Sequence, residues 1–267
     1  PTADVTPGPT PGPTINTPCP EGCVEDFMDF DSSDFMPVMP DGLAKFLPSV
    51  CISVTATTAN GAEARSPFIF DTSNPTGGDS DLGTPNCQCD GGGPGHATGD
   101  PSCNSDTPAS GPGGEFENCV PLGNALVVQE ERNGVLRSEP DDEGQGGCLV
   151  FTFDCGYEGT VYNLTFIDDL DADVTFYISG GSTISKNFVV GAENGVLGET
   201  FEPVDDIEYF TVCFEESGAL ASFGTCRCDT PAPTPGPTPG PTLGPTLGST
   251  LGLTPSPTPS TSLAPSN

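Results

Sequence analysis

The chain of 267 residues has no tryptophan, one histidine (His96) and only six lysines and arginines against 38 aspartates and glutamates. Each shortage excludes something. A nucleic-acid binder needs a basic surface, and a net charge of −32 is the opposite of one. The same charge disfavours docking on anionic lipid. No stretch approaches the ~18 consecutive apolar residues of a membrane-spanning helix. A single histidine, in the glycine-rich run Gly91–Ala97, makes a zinc finger or a Ser-His-Asp set a poor reading, and no nucleophile elbow accompanies it. The missing tryptophan and the four tyrosines leave little for a sugar-stacking platform. No phosphate loop or dinucleotide fingerprint is present. The expectation is that the protein is not an enzyme. The chain begins at Pro1 and shows no signal peptide, so a mature or trimmed product, or a segment of a longer polypeptide, is expected.

Proline and glycine, in contrast, are abundant and placed with a period. Thr234, Thr238, Thr242, Thr246, Thr250, Thr254 and Thr258 stand four residues apart, beginning as Thr-Pro-Gly-Pro. Thr6, Thr10 and Thr14 open the chain in the same pattern. Such segments favour polyproline II, which rises about 3.1 Å per residue with three residues per turn. Four residues then advance about 12 Å with a net rotation of about 120°, so successive threonines face three directions in turn. Proline-flanked Ser/Thr is the composition of O-glycosylated stalks, and these ten threonines are the expected glycan sites. The sequence thus divides into a linker at 1–18, a folded region at 19–228 and a repeat arm at 229–267.

Twelve cysteines lie in the folded region: Cys19, Cys23, Cys51, Cys87, Cys89, Cys103, Cys119, Cys148, Cys155, Cys213, Cys226 and Cys228. Their even number and lack of metal-site spacing predict disulfides and an oxidising compartment, with connectivity left open. The clusters at the two ends of this region are expected to bridge near each other and staple the domain where both arms leave. Asn163-Leu-Thr165 is an N-glycosylation sequon, in keeping with secretion.

Short runs rich in β-branched and aromatic residues predict strands near 49–57, 67–71, 124–130, 147–154, 160–168, 172–178, 185–191 and 207–214. Their spacing predicts an all-β sandwich, jelly-roll-like. Tyr162, Leu164 and Phe166 are expected to share one face, with Asn163 on the solvent side. Only Gly42–Ser49 hints at a helical turn. Residues 84–121, with four cysteines among many glycines and prolines, read as a long loop ordered by disulfides.

The acids cluster at strand ends. Asp71, Asp79 and Asp81 follow one strand; Glu130 and the Asp141–Asp142 pair follow others; Asp168 and Asp169 open a further group. Calcium takes six to eight hard oxygens from carboxylates and loop carbonyls. Asp-x-Asp beside glycine offers both, without the spacing of an EF-hand, so a loop-built Ca2+ site is expected. Asp and Asn also serve turns directly, which is the alternative.

The order FIFDTSNPTGGDSDLGTPN, GNALVVQEE, PDDEGQGG and FIDDLDAD, from Phe68 to Asp173, resembles a domain of secreted algal, protist and bacterial surface proteins. The resemblance implies an extracellular β module. It points to Asp71, Asp79, Asp81, Glu130, Asp141 and Asp142 as cation ligands. The insertion from Cys87 to Cys119 exceeds that pattern. The flanking arms resemble glycosylated, hydroxyproline-type wall segments. Together these features lead to the expectation of a structural subunit of a secreted, glycosylated filament, sheath or appendage. Its acidic loops would be stabilised by Ca2+, and its partner would be further copies of itself. The alternative is a Ca2+-dependent carbohydrate-binding or adhesin module on a mucin-like stalk.

Overall fold

A computed structural model of the chain describes Cys19 and residues 23–31, 44–45, 52–59, 61, 64–65, 67–97, 103, 109–132, 135–136, 139–154, 159–168 and 170–228. The ten repeat threonines, Cys51, Cys155 and Asp169 lie outside the described residues. The chain divides into two compact units, Pro1–Asp229 and Thr230–Asn267, and every described residue belongs to the first.

Among its described residues the regular structure is strand, apart from one short 3-10 turn at Ser80–Leu82. In chain order the strands are β1 (Cys23–Met28), β2 (Ala44–Lys45), β3 (Ile52–Thr58), β4 (Ala64–Arg65), β5 (Pro67–Asp71), β6 (Asn124–Val128) and β7 (Glu131–Arg132). They continue with β8 (Val135–Leu136), β9 (Gly147–Phe153), β10 (Gly159–Ile167), β11 (Leu170–Ile178), β12 (Ser182–Val190), β13 (Val196–Phe214) and β14 (Ala219–Cys228). No helix among the described residues is long and apolar enough to cross a membrane.

The strands form an antiparallel, jelly-roll-like sandwich, and β13 belongs to both layers. Its first half pairs with β10, from Val196 opposite Ile167 to Ile207 opposite Gly159. Its second half lies between β9 and β11, from Tyr209 to Phe214. Asp206, at φ 58, stands between the two halves. One layer therefore runs β12–β11–β13–β9–β3, with β2 and β4 beside β3. The other runs β13–β10–β14, and β14 pairs with β1 along one half and with β6, and through it β5, at the other.

Alternating residues fill the space between the layers. Phe151 and Phe210 stack at 4.6 Å, and Phe223 from the opposite layer meets them edge-on at 5.3 and 5.5 Å. All three rings are inaccessible to solvent, and each buried ring contributes roughly 2–3 kcal/mol. A second, smaller core lies on the other side of the β10–β14 layer. There Phe70, Leu82, Ala125, Val127 and Ile167 pack together, bringing the loop after β5 onto the sheet.

Four disulfides are described. Cys148–Cys213 ties β9 to β13. Cys87–Cys103 and Cys89–Cys119 lie within the predicted long loop. Cys19–Cys226 joins the two ends of the domain across 207 residues. Among the described residues no cysteine is free.

Three local expectations change. Ala44–Lys45, inside the segment read as a helical turn, pairs as a strand with Ser53 and Val54. Tyr162 does not share the core face of Leu164 and Phe166. A register shift between Val161 and Asn163 places Val161 in the main core and turns Tyr162 toward Cys19 and Cys226. The strand predicted at 207–214 begins at Val196, because its first half is polar and carries Pro203, a residue that hides a strand from pattern reading.

Candidate metal centre

Four loops meet at one end of the sandwich: those after β5, β8, β10 and β13. The first leaves β5 at Asp71 and is braced where Thr72 Oγ1 and Thr84 Oγ1 lie 2.6 Å apart. Thr76 Oγ1 then donates to Pro140 O at 2.8 Å, fastening this loop to the turn between β8 and β9. That turn is fixed from below by buried Gln129. Its Nε2 donates to Glu139 O at 2.8 Å, and its Oε1 accepts from Asp141 N at 3.3 Å.

The result is a group of three carboxylates. Asp79, Asp141 and Asp142 present oxygens that all lie within 4.8 Å of one another. Asp141 and Asp142 are buried and Asp79 is half-buried. Gly77, at φ +73, makes the approach possible, since a Cβ there would stand 2.7 Å from Asp141 Cγ and 2.9 Å from Asp79 Oδ2. Asp142 N donates to Asp79 Oδ2 at 3.3 Å, and Gly218 N donates to Asp142 Oδ2 at 2.8 Å.

Ser217 connects this group to Asp168. Its hydroxyl hydrogen-bonds Asp142 Oδ2 and lies 3.1 Å from Asp168 Oδ2. One hydroxyl has one proton, so it serves one of the two carboxylates at a time. Asp168, buried at φ 90, also accepts from Asn194 N at 3.2 Å.

Such crowding opposes ionisation. Burial pushes the Asp79 carboxyl up to about 8, and the charges of Asp142, Asp141 and Asp81 add to the effect. Burial likewise raises Asp142 to about 7. Hydrogen bonds from Ser217 and Gly218 oppose the rise, while Asp81 and Asp168 reinforce it. A bound divalent cation reverses this preference. The donors are hard oxygens with no thiol or imidazole among them, which suits Ca2+ better than zinc. The residues present fit such an ion, with Asp79, Asp141 and Asp142 as the ligands that would hold it.

Of the acids singled out in the sequence, the structure brings Asp79, Asp141 and Asp142 together and sets Asp81 and Asp168 beside them. Asp71 stands apart: its Oδ1 accepts from Ser73 N at 2.9 Å and Ser73 Oγ at 2.6 Å, a turn-capping arrangement. Glu130 takes part through its backbone, donating to Asp141 O at 2.8 Å, and its carboxylate is not one of the converging three. Asn163 lies on the face opposite Leu164, as expected. Its Nδ2, the atom a glycan would occupy, donates to Glu199 O at 3.0 Å and Thr200 Oγ1 at 3.1 Å.

Sequence reading gave no site role to Ser217, Thr76, Gly77 or Asn194. Asn194 is inaccessible to solvent. Its Nδ2 donates to Asp81 O at 2.7 Å and Gly83 O at 2.6 Å, while its Oδ1 accepts from Asn86 Nδ2 at 2.7 Å. It pins the β12–β13 turn to the acidic loop. Its one sequence signal is the pair Asn194-Gly195 between two strands.

No protein-family model matches the chain, and no curated protein does. Among solved structures it is similar to CpGH89CBM32-5 from Clostridium perfringens, solved in complex with GalNAc-beta-1,3-galactose. Identity is 9% and TM-score 0.24, over 33% of this chain and 69% of that one. It is also similar to SpGH29, at 14% identity and TM-score 0.22, over 39% of this chain and 24% of that one. At these TM-scores neither likeness carries a conclusion about what this chain does.

Proposed function

We propose that this chain is a non-catalytic structural module of a secreted, glycosylated filament, sheath or appendage, and that Ca2+ stabilises its acidic end. The observation that carries the reading is the convergence of Asp79, Asp141 and Asp142 on one point at the tip of the sandwich. A divalent ion there ties the loop after β5 to the turn between β8 and β9. It also offsets part of the −32 charge that sets copies of the chain against one another. The disulfides suit an oxidising, extracellular setting. The Thr-Pro-Gly-Pro arms supply the connectors, and the C-terminal one reaches about 110 Å when extended as polyproline II. His96, the one histidine, engages its neighbour's Ala97 O at 3.1 Å through Nδ1, which fits a loop contact better than a catalytic base.

The test is negative-stain microscopy and sedimentation of the native glycosylated protein, in about 1 mM Ca2+ and in EDTA. Ordered polymers in Ca2+ that disperse in EDTA support the reading. A monomer under both conditions overturns it.

A second reading, a Ca2+-dependent glycan-binding module, is favoured by one feature. Tyr177 and Tyr209 stack at 4.1 Å, half-buried, on the outer face of the β11–β13–β9 layer, in one row with Thr152 and next to Thr175 and Thr211. Glycan-array binding that disappears with EDTA and with Tyr177→Ala supports it.

A further inference from the structure

The two ends of the sandwich meet at one corner. β1 runs antiparallel to β14 from Cys23 opposite Cys228 to Met28 opposite Phe223. The N-terminal start of β1 therefore lies beside the C-terminal finish of β14. Tension pulling the two flanks apart acts at the open end of this strand pair. Its hydrogen bonds are then loaded one after another, not all together, and each one alone is weak. Unprotected, β1 would peel from β14, and β14 from β10 behind it.

Cys19–Cys226 stands at the mouth of that opening. From the structure we infer that this disulfide is a load bypass: tension passes from Cys19 through the sulfurs to Cys226, and the 207-residue loop it closes carries none. The inference rests on the reading of the arms as connectors between subunits.

The surroundings of the bridge are built for it. Cys19 is 7% exposed, Cys226 8% and Tyr162 8%, and they form a separate small cluster with Cys23 packed against it. The shift between Val161 and Asn163 turns Tyr162 to this side. Gly224 leaves room for the ring, since a Cβ there would meet Tyr162 Cζ at 2.6 Å. A strand irregularity, an aromatic ring and a glycine together cover one disulfide and limit a reductant's access to it. The carboxylate group lies at the other end of β14. Gly218 and Cys226 are separated by about 25 Å of strand, so load passing through the bridge does not reach the cation site.

The test is single-molecule stretching of the full oxidised chain, held by handles at its two termini. The inference predicts smooth extension of the flanks with no lengthening step. Adding a reductant to the same folded molecules, or replacing Cys19, Cys23, Cys226 and Cys228 by serine, should produce an abrupt lengthening at low force. That step should be on the order of 100 Å or more, with a ceiling of about 700 Å set by the closed loop. Tyr162→Ala should raise the rate at which reductant abolishes the bypass several-fold. The inference is overturned if the oxidised chain lengthens in such a step, or if reduced molecules resist to the same force as oxidised ones. Reduction of the wild-type protein keeps the test open should the serine variant not fold. Isolated molecules need no filament. Failure to polymerise therefore removes the assembly reading and leaves this result standing, while lengthening of oxidised molecules removes the bypass and leaves assembly untouched.

Discussion

At the scale of single residues, the acidic end is a conflict between carboxylates that a bound cation would resolve. Asp142 is held by Ser217 and Gly218 among other negative charges, and burial raises its ionisation to about 7. Replacing it should therefore act in opposite directions. Without Ca2+ at about pH 8, Asp142→Asn relieves repulsion and should stabilise the protein by on the order of 1 kcal/mol or more. With Ca2+ present it removes a ligand, and the thermal stabilisation by the ion should be largely lost. Melting curves with and without EDTA read both signs. Asn194 makes no such exchange. Asn194→Ala leaves Asp81 O and Gly83 O without this donor, and urea unfolding should show a loss of roughly 2–3 kcal/mol under either condition. The carboxylates were legible in the sequence because Asp-x-Asp and Asp-Asp beside glycine advertise themselves. Ser217 and Asn194 were not. Each acts at a meeting of loops far apart in the chain, and nothing local to either residue encodes that meeting.

Among the elements, legibility followed side-chain pattern. β5, β9 and β11 are rich in aromatic and β-branched residues and stood out at nearly their true bounds. β14, Ala219–Cys228, uses small residues, and the first half of β13 is acidic with Pro203 inside it, so neither read as strand. The first half of β13 pairs with β10, and β14 pairs with β10, β1 and β6, so pairing partners, not propensity, hold them. The long loop did match its composition. Its four cysteines pair with one another, Cys87 with Cys103 and Cys89 with Cys119. Closing the 30-residue span between Cys89 and Cys119 stabilises the fold by about 3–4 kcal/mol in the chain-entropy account. The Cys89→Ser/Cys119→Ser double variant should be cut by protease within residues 84–121 while the strands from β9 onward stay protected, as mass mapping of the fragments would show.

For the whole molecule, the balance of charge makes stability a function of pH and of cation together. Asp79 and Asp142 ionise in the folded protein near 8 and 7, well above the ordinary 3.8. The folded state thus holds protons that the unfolded chain gives up. In EDTA these two groups should lower stability as pH rises from about 4 to about 8, the stabilising protonated state being fully present only below the ordinary value. Saturating Ca2+ should flatten or reverse that slope, because the ion takes the place of the protons. Unfolding followed across this range, with and without Ca2+, tests the sign. The β-sandwich, its disulfides and its acidic tip could be read from composition and spacing. The corner at which the domain's two ends meet depends on the register of β1 against β14, which composition does not specify.

The central claim is that Asp79, Asp141 and Asp142 hold Ca2+, and isothermal titration calorimetry of the full chain tests it most directly. The account predicts binding with Kd of about 10⁻⁵ to 10⁻³ M at neutral pH, proton release on binding, and loss of that site in Asp79→Asn and Asp142→Asn. Absence of binding by the wild-type protein at about 10 mM Ca2+, or unchanged binding by both variants, would contradict it.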